Sequence, residues 1–202
     1  MPKIVDAQMR EATRQRILHE AAHEFARLGF DQANINLIAE QAGIGKGTIY
    51  LYFTNKRELF QEMLRSIART HLAAIRTALA PHGTFQERLE RLFRAFARLA
   101  AEDSDSFHVS MSALYGVNRA FQEEASRLLR EYLAVISLVL EESQASGEIQ
   151  VADIEATALQ VFSLTESYVL SALVLGWSEQ AITSRASLIA RQVIAGIAPS
   201  PL

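Results

Sequence analysis

The 202-residue chain is half apolar, has a formal net charge of −3 and contains no cysteine. That composition excludes a disordered chain, a disulfide-framed domain and a thiolate metal centre, and the length suits one or two domains with a sizeable core. Charge is unevenly placed: residues 1–60 hold eight cations against seven acids, residues 61–202 hold twelve arginines against sixteen acids, and every lysine lies at or before Lys56. A slightly basic head on an acidic body is the distribution of a protein that meets a polyanion at one end only.

Met1 to Asp6 has no apolar signal core, so a cytoplasmic protein is expected. Residues 1–9 read as a flexible arm, with Lys3 and Arg10 placed to touch phosphate. A first helix is predicted from about Arg10 to Leu28, with Ile17, Leu18, Ala21, Phe25 and Leu28 on one stripe and Gly29 as its stop. Within it, His19-Glu20-Ala21-Ala22-His23 matches the zinc-hydrolase pattern of two histidines one turn apart with a glutamate between. Helical geometry turns both imidazoles away from the Ile17–Ala21–Leu28 stripe, and no convincing third ligand follows, since Glu40 falls inside the next motif. Two solvent-facing histidines are the preferred reading. No metal or cofactor is expected, and the chain is not read as an enzyme.

The stretch from Asn34 to Phe60 reads as a helix-turn-helix. Asn34 is an N-cap candidate, and Ile35, Ile38, Ala39 and Ala42 give a short helix with an apolar face. Ala39 is small where a second helix must cross, and Gly43 supplies the sharp turn. Ile44 and Ile49 are the expected apolar plugs of a second helix, Lys46 to Phe53, too short to stand without packing. No Asp or Glu occurs from Gln41 to Arg57, as a surface entering the field of DNA requires. Asn34, Lys46, Gly47, Thr48, Tyr50, Tyr52 and Lys56 are the expected DNA contacts, mostly at phosphates; the two tyrosines also suit plain packing.

Phe30 to Phe60 resembles the DNA-binding segment of the tetracycline-repressor (TetR) family. The resemblance rests on Ile38-Ala39, Ala42-Gly43, Lys46-Gly47-Thr48, Tyr50-Leu51-Tyr52-Phe53 and Lys56-Arg57-Glu58-Leu59. Two positions depart mildly from the family pattern: Gly45 stands where serine is frequent, and Asn34 where threonine or serine is usual. The resemblance implies a dimeric, all-helical protein that represses transcription until a small molecule binds its C-terminal domain. Past Phe60 the family shares a helical plan and little sequence, so no ligand residue is carried over.

A long helix is predicted from Asn55, capped there with Glu58 reaching back, to about Leu79, where Pro81-His82-Gly83 breaks the chain. Thr84 and Glu87 form a second capping box opening a helix with Leu89, Leu92, Phe93, Phe96 and Leu99 inward and Arg88, Arg91, Arg94 and Arg98 as a solvated basic stripe. Helices are then expected from Asp103–Asp105 to Gly116, from Arg119 to Ala145 with Gly147 as stop, from Asp153 to Gly176, and from a Ser178 cap to Ile197 before Pro199 and Pro201. The Asp153–Gly176 helix is apolar nearly all round. Glu166 near its middle would cost ~3 kcal/mol in a bilayer, so burial between a core and a partner subunit is preferred to a membrane span.

The whole reads as an all-α protein of about nine helices. Residues 1–54 form a three-helix helix-turn-helix domain, and residues 55–202 a helical bundle for ligand binding and dimerisation. The homodimer interface is expected at Val161, Tyr168, Leu175, Ile182, Ile189 and Val193, as a four-helix contact. The expected effector is small and largely apolar, its site lined by Phe93, Phe96, Met111, Tyr115, Phe162 and Glu166, unless Glu166 is held internally by Arg94, Arg98 or Arg130 or lies at a groove edge. A repressor released from an inverted-repeat operator is the function expected. An activator with the same head, a body that binds protein and a zinc hydrolase are the alternatives.

Overall fold

The computed structural model describes residues 2–115 and 121–196, with side chains from residue 7 onward. The expected helix end at Gly116, helix start at Arg119, the Lys3 side chain, and Ile197, Pro199 and Pro201 lie outside the described residues. Among the described residues nine α-helices follow in order: α1 (Pro2–Gln32), α2 (Ile35–Gln41), α3 (Lys56–Ala78), α4 (Phe85–Glu102), α5 (Ser104–Tyr115), α6 (Gln122–Ala145), α7 (Ile154–Val174), α8 (Glu179–Thr183) and α9 (Ala186–Ala195). A 3₁₀ turn, Ile49–Leu51, lies between α2 and α3, and no strand occurs among the described residues.

The chain divides into two compact units, Met1–Arg69 with Asp105–Glu124 and Thr70–Ser104 with Ala125–Leu202. In the first, Ile17, Leu18, Ala21 and Phe25 of α1 are buried along with Ile38 and Ala39 of α2. A cluster of four phenylalanines lies beside them. Phe25 meets Phe60 edge-on at 4.9 Å between centroids, Phe30 meets Phe121 at 4.7 Å, and Phe60 meets Phe121 at 4.5 Å. In the second unit α4 is central, packing against α7, α8 and α9 and burying Leu89, Leu92, Phe93, Phe96, Ala97 and Ala100.

Local chemistry sets most helix starts. The Thr84 hydroxyl accepts from the Glu87 amide at 3.2 Å while the Glu87 carboxylate accepts from the Thr84 amide at 2.7 Å, the reciprocal capping box. Asp153 caps α7 through the Ala156 amide, and Ser178 caps α8 through the Ala181 amide. At α3 the Asn55 side chain accepts from the Glu58 amide at 2.9 Å, but Glu58 reaches back to Thr54, one residue earlier than the sequence suggests.

Two expectations are corrected. Residues 2–9 are helical and continue α1, so they are not a flexible arm. Gly29 is the stop the sequence places there: with φ 72° and ψ 174° it is non-helical and breaks α1, and a short helical turn to Gln32 follows, placing Phe30 on the aromatic cluster. The expected single helix from Ser178 is two, α8 and α9. The side chains of Thr183, Ser184 and Arg185 bond the carbonyl oxygens of Gln180 and Ala181 at the join, competing with the helical ladder.

Candidate nucleic-acid interface

The helix-turn-helix is assembled from within the first unit. Asn34 caps α2, its side-chain oxygen accepting from the Asn36 amide at 2.9 Å. Past α2, the Ile44 amide bonds the Ala39 carbonyl and the Gly43 amide bonds the Glu40 carbonyl, both at 3.0 Å. These are the paired bonds of a Schellman turn, which needs a left-handed residue between them. Gly43 fills that position at φ 69°. The segment that follows is wound more tightly than the α-helix expected over Lys46–Phe53. Thr48 bonds back to Gly45, Leu51 to Thr48 and Tyr52 to Ile49, all three residues apart, and only Phe53 reaches four back to Ile49. Gly45 and Gly47 lack the side chains that favour an α-turn, which accounts for the difference.

This winding buries Ile49 and Phe53 and turns the polar side outward. Lys46 and Gly47 are exposed, Thr48 and Tyr52 half-buried, and Tyr50 49% exposed. Leu51, not among the expected contacts, is 72% exposed on the same segment, too far out for a core role. Two cations of α1 support the segment from behind, with the Arg10 guanidinium 5.8 Å from the Tyr52 ring centre and that of Arg14 5.5 Å from Phe53. Arg14 is also paired with Glu62.

Lys56 is more committed than its place in the motif suggests. Its ammonium donates to the carbonyl oxygens of Asp31 at 2.9 Å and Ala33 at 2.8 Å, and it lies over the Phe30 ring. Lys56 therefore ties the start of α3 to the last turn of α1. Glu24 is a second support that sequence reasoning missed. It is fully buried, accepting from the Asn34 amide at 3.1 Å and from Arg27 at 2.9 Å. Burial pushes its carboxyl up, but the Arg27 and Asn34 bonds outweigh that and hold it below the usual carboxylate value. Its only sequence signal is an acid at a position beside Phe25 on an otherwise apolar flank.

His19 and His23 are exposed, as their helical phase requires, and His23 bonds Asp105 of α5 at 2.6 Å. Among the described residues no group of three His, Asp or Glu side chains is arranged to hold a metal ion.

In the second unit, Phe93, Phe96, Phe162 and Glu166 are all buried, whereas Met111 and Tyr115 belong to the first unit, Met111 buried and Tyr115 56% exposed. Phe162 packs edge-on to Phe96 and stacks on Tyr132 at 5.3 Å. Glu166 is at no groove edge, since its exposure is 0%. Two of its expected cations are engaged elsewhere, Arg94 with Glu90 at 3.1 Å and Arg130 with Ser126 at 2.6 Å. Burial first, and then the Glu166 charge, push the Tyr132 phenol well up. Of the expected interface stripe, Val161, Ile182 and Ile189 are buried within the chain itself, because α7, α8 and α9 all pack on α4, with Ile189 against Phe93. Tyr168 packs edge-on to Phe93 and Trp177. Leu175 is exposed and Val193 half-buried.

The family model for bacterial regulatory proteins of the tetR family matches residues 17–63, and the tetracyclin repressor-like C-terminal domain model matches residues 82–169, together more than half of the chain. The chain belongs to the TetR family. As a member it is a DNA-binding regulator responsive to a small-molecule effector. Among similar proteins is the uncharacterized HTH-type regulator YhgD of Bacillus subtilis, 29% identical over 81% of this chain and 83% of that protein. The fatty acid metabolism regulator protein of the same organism is 28% identical over 66% of this chain and 69% of its own. The solved structure of the B. subtilis regulator FadR in complex with stearoyl-CoA superposes with a TM-score of 0.79 at 23% identity, covering 91% of this chain and 98% of that one. At that identity the likeness shows the fold.

Proposed function

We propose that this TetR-family regulator is a cytoplasmic repressor that binds an inverted-repeat operator as a homodimer and releases it when a long-chain acyl effector binds the helical domain. Residues 1–54 are the reading head and residues 55–202 the effector and dimerisation part. The observation that carries the DNA reading is the acid-free surface from Lys46 to Leu51, turned outward by a Schellman turn and anchored by buried Ile49 and Phe53. Lys46, Thr48 and the Tyr50 hydroxyl take phosphates and Gly47 allows close backbone approach, with Tyr52 and Asn34 at the margin. Leu51 supplies an apolar contact of the kind a thymine methyl accepts. Lys56 is a positioning residue with part of its charge still open to DNA. The acyl effector is suggested by the likeness to regulators of fatty acid metabolism.

An anisotropy titration on DNA from the promoter region of the protein's own gene tests the head. Lys46→Ala should weaken all sequences about equally and reduce the salt slope by ~1. Lys56→Ala should change the slope less and lower unfolding stability by about 1–2 kcal/mol, through its two carbonyl bonds. An unchanged slope for Lys46→Ala would reject the phosphate role. A reporter fused to that promoter separates repressor from activator by the sign of the response to deleting the regulator.

A further inference from the structure

A groove runs between the last turns of α3 and the outer flank of α4, enclosing about 550 Å³. That lies within the range of roughly 300–1,000 Å³ typical of small-molecule sites. Its walls are short apolar side chains, Ala73 and Ala74 of α3 facing Ala95 and Leu99 of α4, and arginines stand along its rim. The flank is distinct from the core face of α4, which is filled by Leu92, Phe93 and Phe96.

The rim arginines differ in how far they are engaged. Arg91 closes one end, donating to the carbonyl oxygens of Ala78 at 2.7 Å, Ala80 at 3.2 Å and His82 at 2.8 Å. Arg94 is paired with Glu90, which also accepts from the Ser187 hydroxyl at 2.7 Å. Arg98 is exposed and makes no hydrogen bond or ion pair among the described residues. Glu102 lines the other end and keeps an anion from settling there. The trough thus offers apolar burial below and an uncommitted guanidinium, with a second beside it, above.

We infer that this groove seats the effector, and that the effector is a single-chain anionic amphiphile, its chain along the alanine trough and its anion on Arg98 and Arg94. This rests on the acyl-effector reading above and adds the site and the charge. A small hydrated anion would leave the trough uncovered, and a neutral chain would leave the arginines to solvent. An amphiphile satisfies both. A free carboxylate and the phosphates of an acyl-CoA share the chemistry that Arg98 recognises.

Calorimetry on the full-length protein, below the micellar range of each ligand, tests this with stearate, stearoyl-CoA, coenzyme A alone and stearyl alcohol. Stearate or stearoyl-CoA should bind the wild type, the tighter of the two naming the headgroup, and coenzyme A alone should not. Arg98→Gln should weaken the anionic ligands by roughly tenfold or more and leave stearyl alcohol unchanged. Ala73→Trp should abolish binding of stearate, stearoyl-CoA and stearyl alcohol alike by filling the trough. Both positions are exposed, and ligand-free operator binding verifies each fold; Arg98→Gln carries the test alone if Ala73→Trp does not fold. If stearoyl-CoA binds and releases operator equally well in the wild type and both variants, the groove is wrong and the acyl reading stands. If no acyl compound binds the wild type, both fall. A change in oligomeric state of Arg98→Gln with ligand affinity unaltered would make the groove a protein contact and overturn the proposal.

Discussion

Glu24, Lys56 and His71 share a feature at the scale of single residues: each is a polar group whose surroundings matter more than its type. For Glu24 and Lys56 the surroundings are backbone groups at the junction of α1, α2 and α3, and the interactions hold the helix-turn-helix in place. His71 of α3 is buried, and burial pushes its imidazole down to about 4, against a small upward pull from the Asp103 charge. A histidine whose folded value lies below its unfolded one stabilises the fold fully above about pH 6.5, where it is neutral in both states. That stability is lost as pH falls towards 4, because the unfolded chain takes up the proton first. Between pH 6.5 and 5 the loss through this group should be roughly 2 kcal/mol, ahead of the acidic range where Glu24 and Glu90 titrate. Urea denaturation at the two pH values measures it. His71→Leu should remove most of the slope, and an equal slope in both proteins would place the effect elsewhere.

At the scale of elements, caps were legible and windings were not. Asn34, Thr84 with Glu87, and Ser178 all cap where the sequence places them, because a cap is a bond between residues two or three apart. The 3₁₀ turn of the reading segment and the break between α8 and α9 were not legible. In each, polar or glycine positions compete locally, and packing selects between nearly equal alternatives. Gly43 lies between these cases, since the turn is local but its φ of 69° is required by the bonds on both sides. A Cβ there would meet no neighbour within 4 Å, so Gly43→Ala carries backbone strain alone. The cost should be about 1–2 kcal/mol, read by thermal denaturation, with operator affinity reduced because the exposed segment is re-aimed. A variant as stable as the wild type would show that the turn relaxes out of the left-handed region.

For the whole molecule, the proposed homodimer requires one apolar surface to meet a second copy. α7 is the one helix among the described residues long and apolar enough to cross a membrane, yet its inward face is a protein core holding Thr165, Glu166 and Val169. Its outward face leaves Leu159 and Leu164 about two-fifths exposed, and beside Leu164 a cavity of about 480 Å³ opens towards Val193 of α9. The contact of the proposed homodimer is expected on this face, with Leu175 at its end and the buried Ile182 and Ile189 behind it. Leu164→Arg should then give a folded monomer, by light scattering and circular dichroism, that has lost operator binding, since two half-sites need two heads. Ile189→Arg, forcing a charge against Phe93 within the subunit, should instead unfold. A folded dimer of Leu164→Arg would move the interface off α7.

The sequence by itself determined the all-helical class, the helix-turn-helix and its outward polar residues, and the family. All of these rest on interactions within a few residues, on charge composition, or on an apolar period that survives without knowing what it packs against. Only the tertiary structure decided the use of each apolar or charged stripe. Ile182 and Ile189 have the period of an interface, and α8 and α9, both packed on α4, bury them within the subunit. Arg91, Arg94 and Arg98 share one stripe, but one caps α3, one is paired and one stands over a groove. Periodicity fixes which residues share a helix face. What that face meets depends on contacts between residues far apart in the chain, and on these the local pattern is silent.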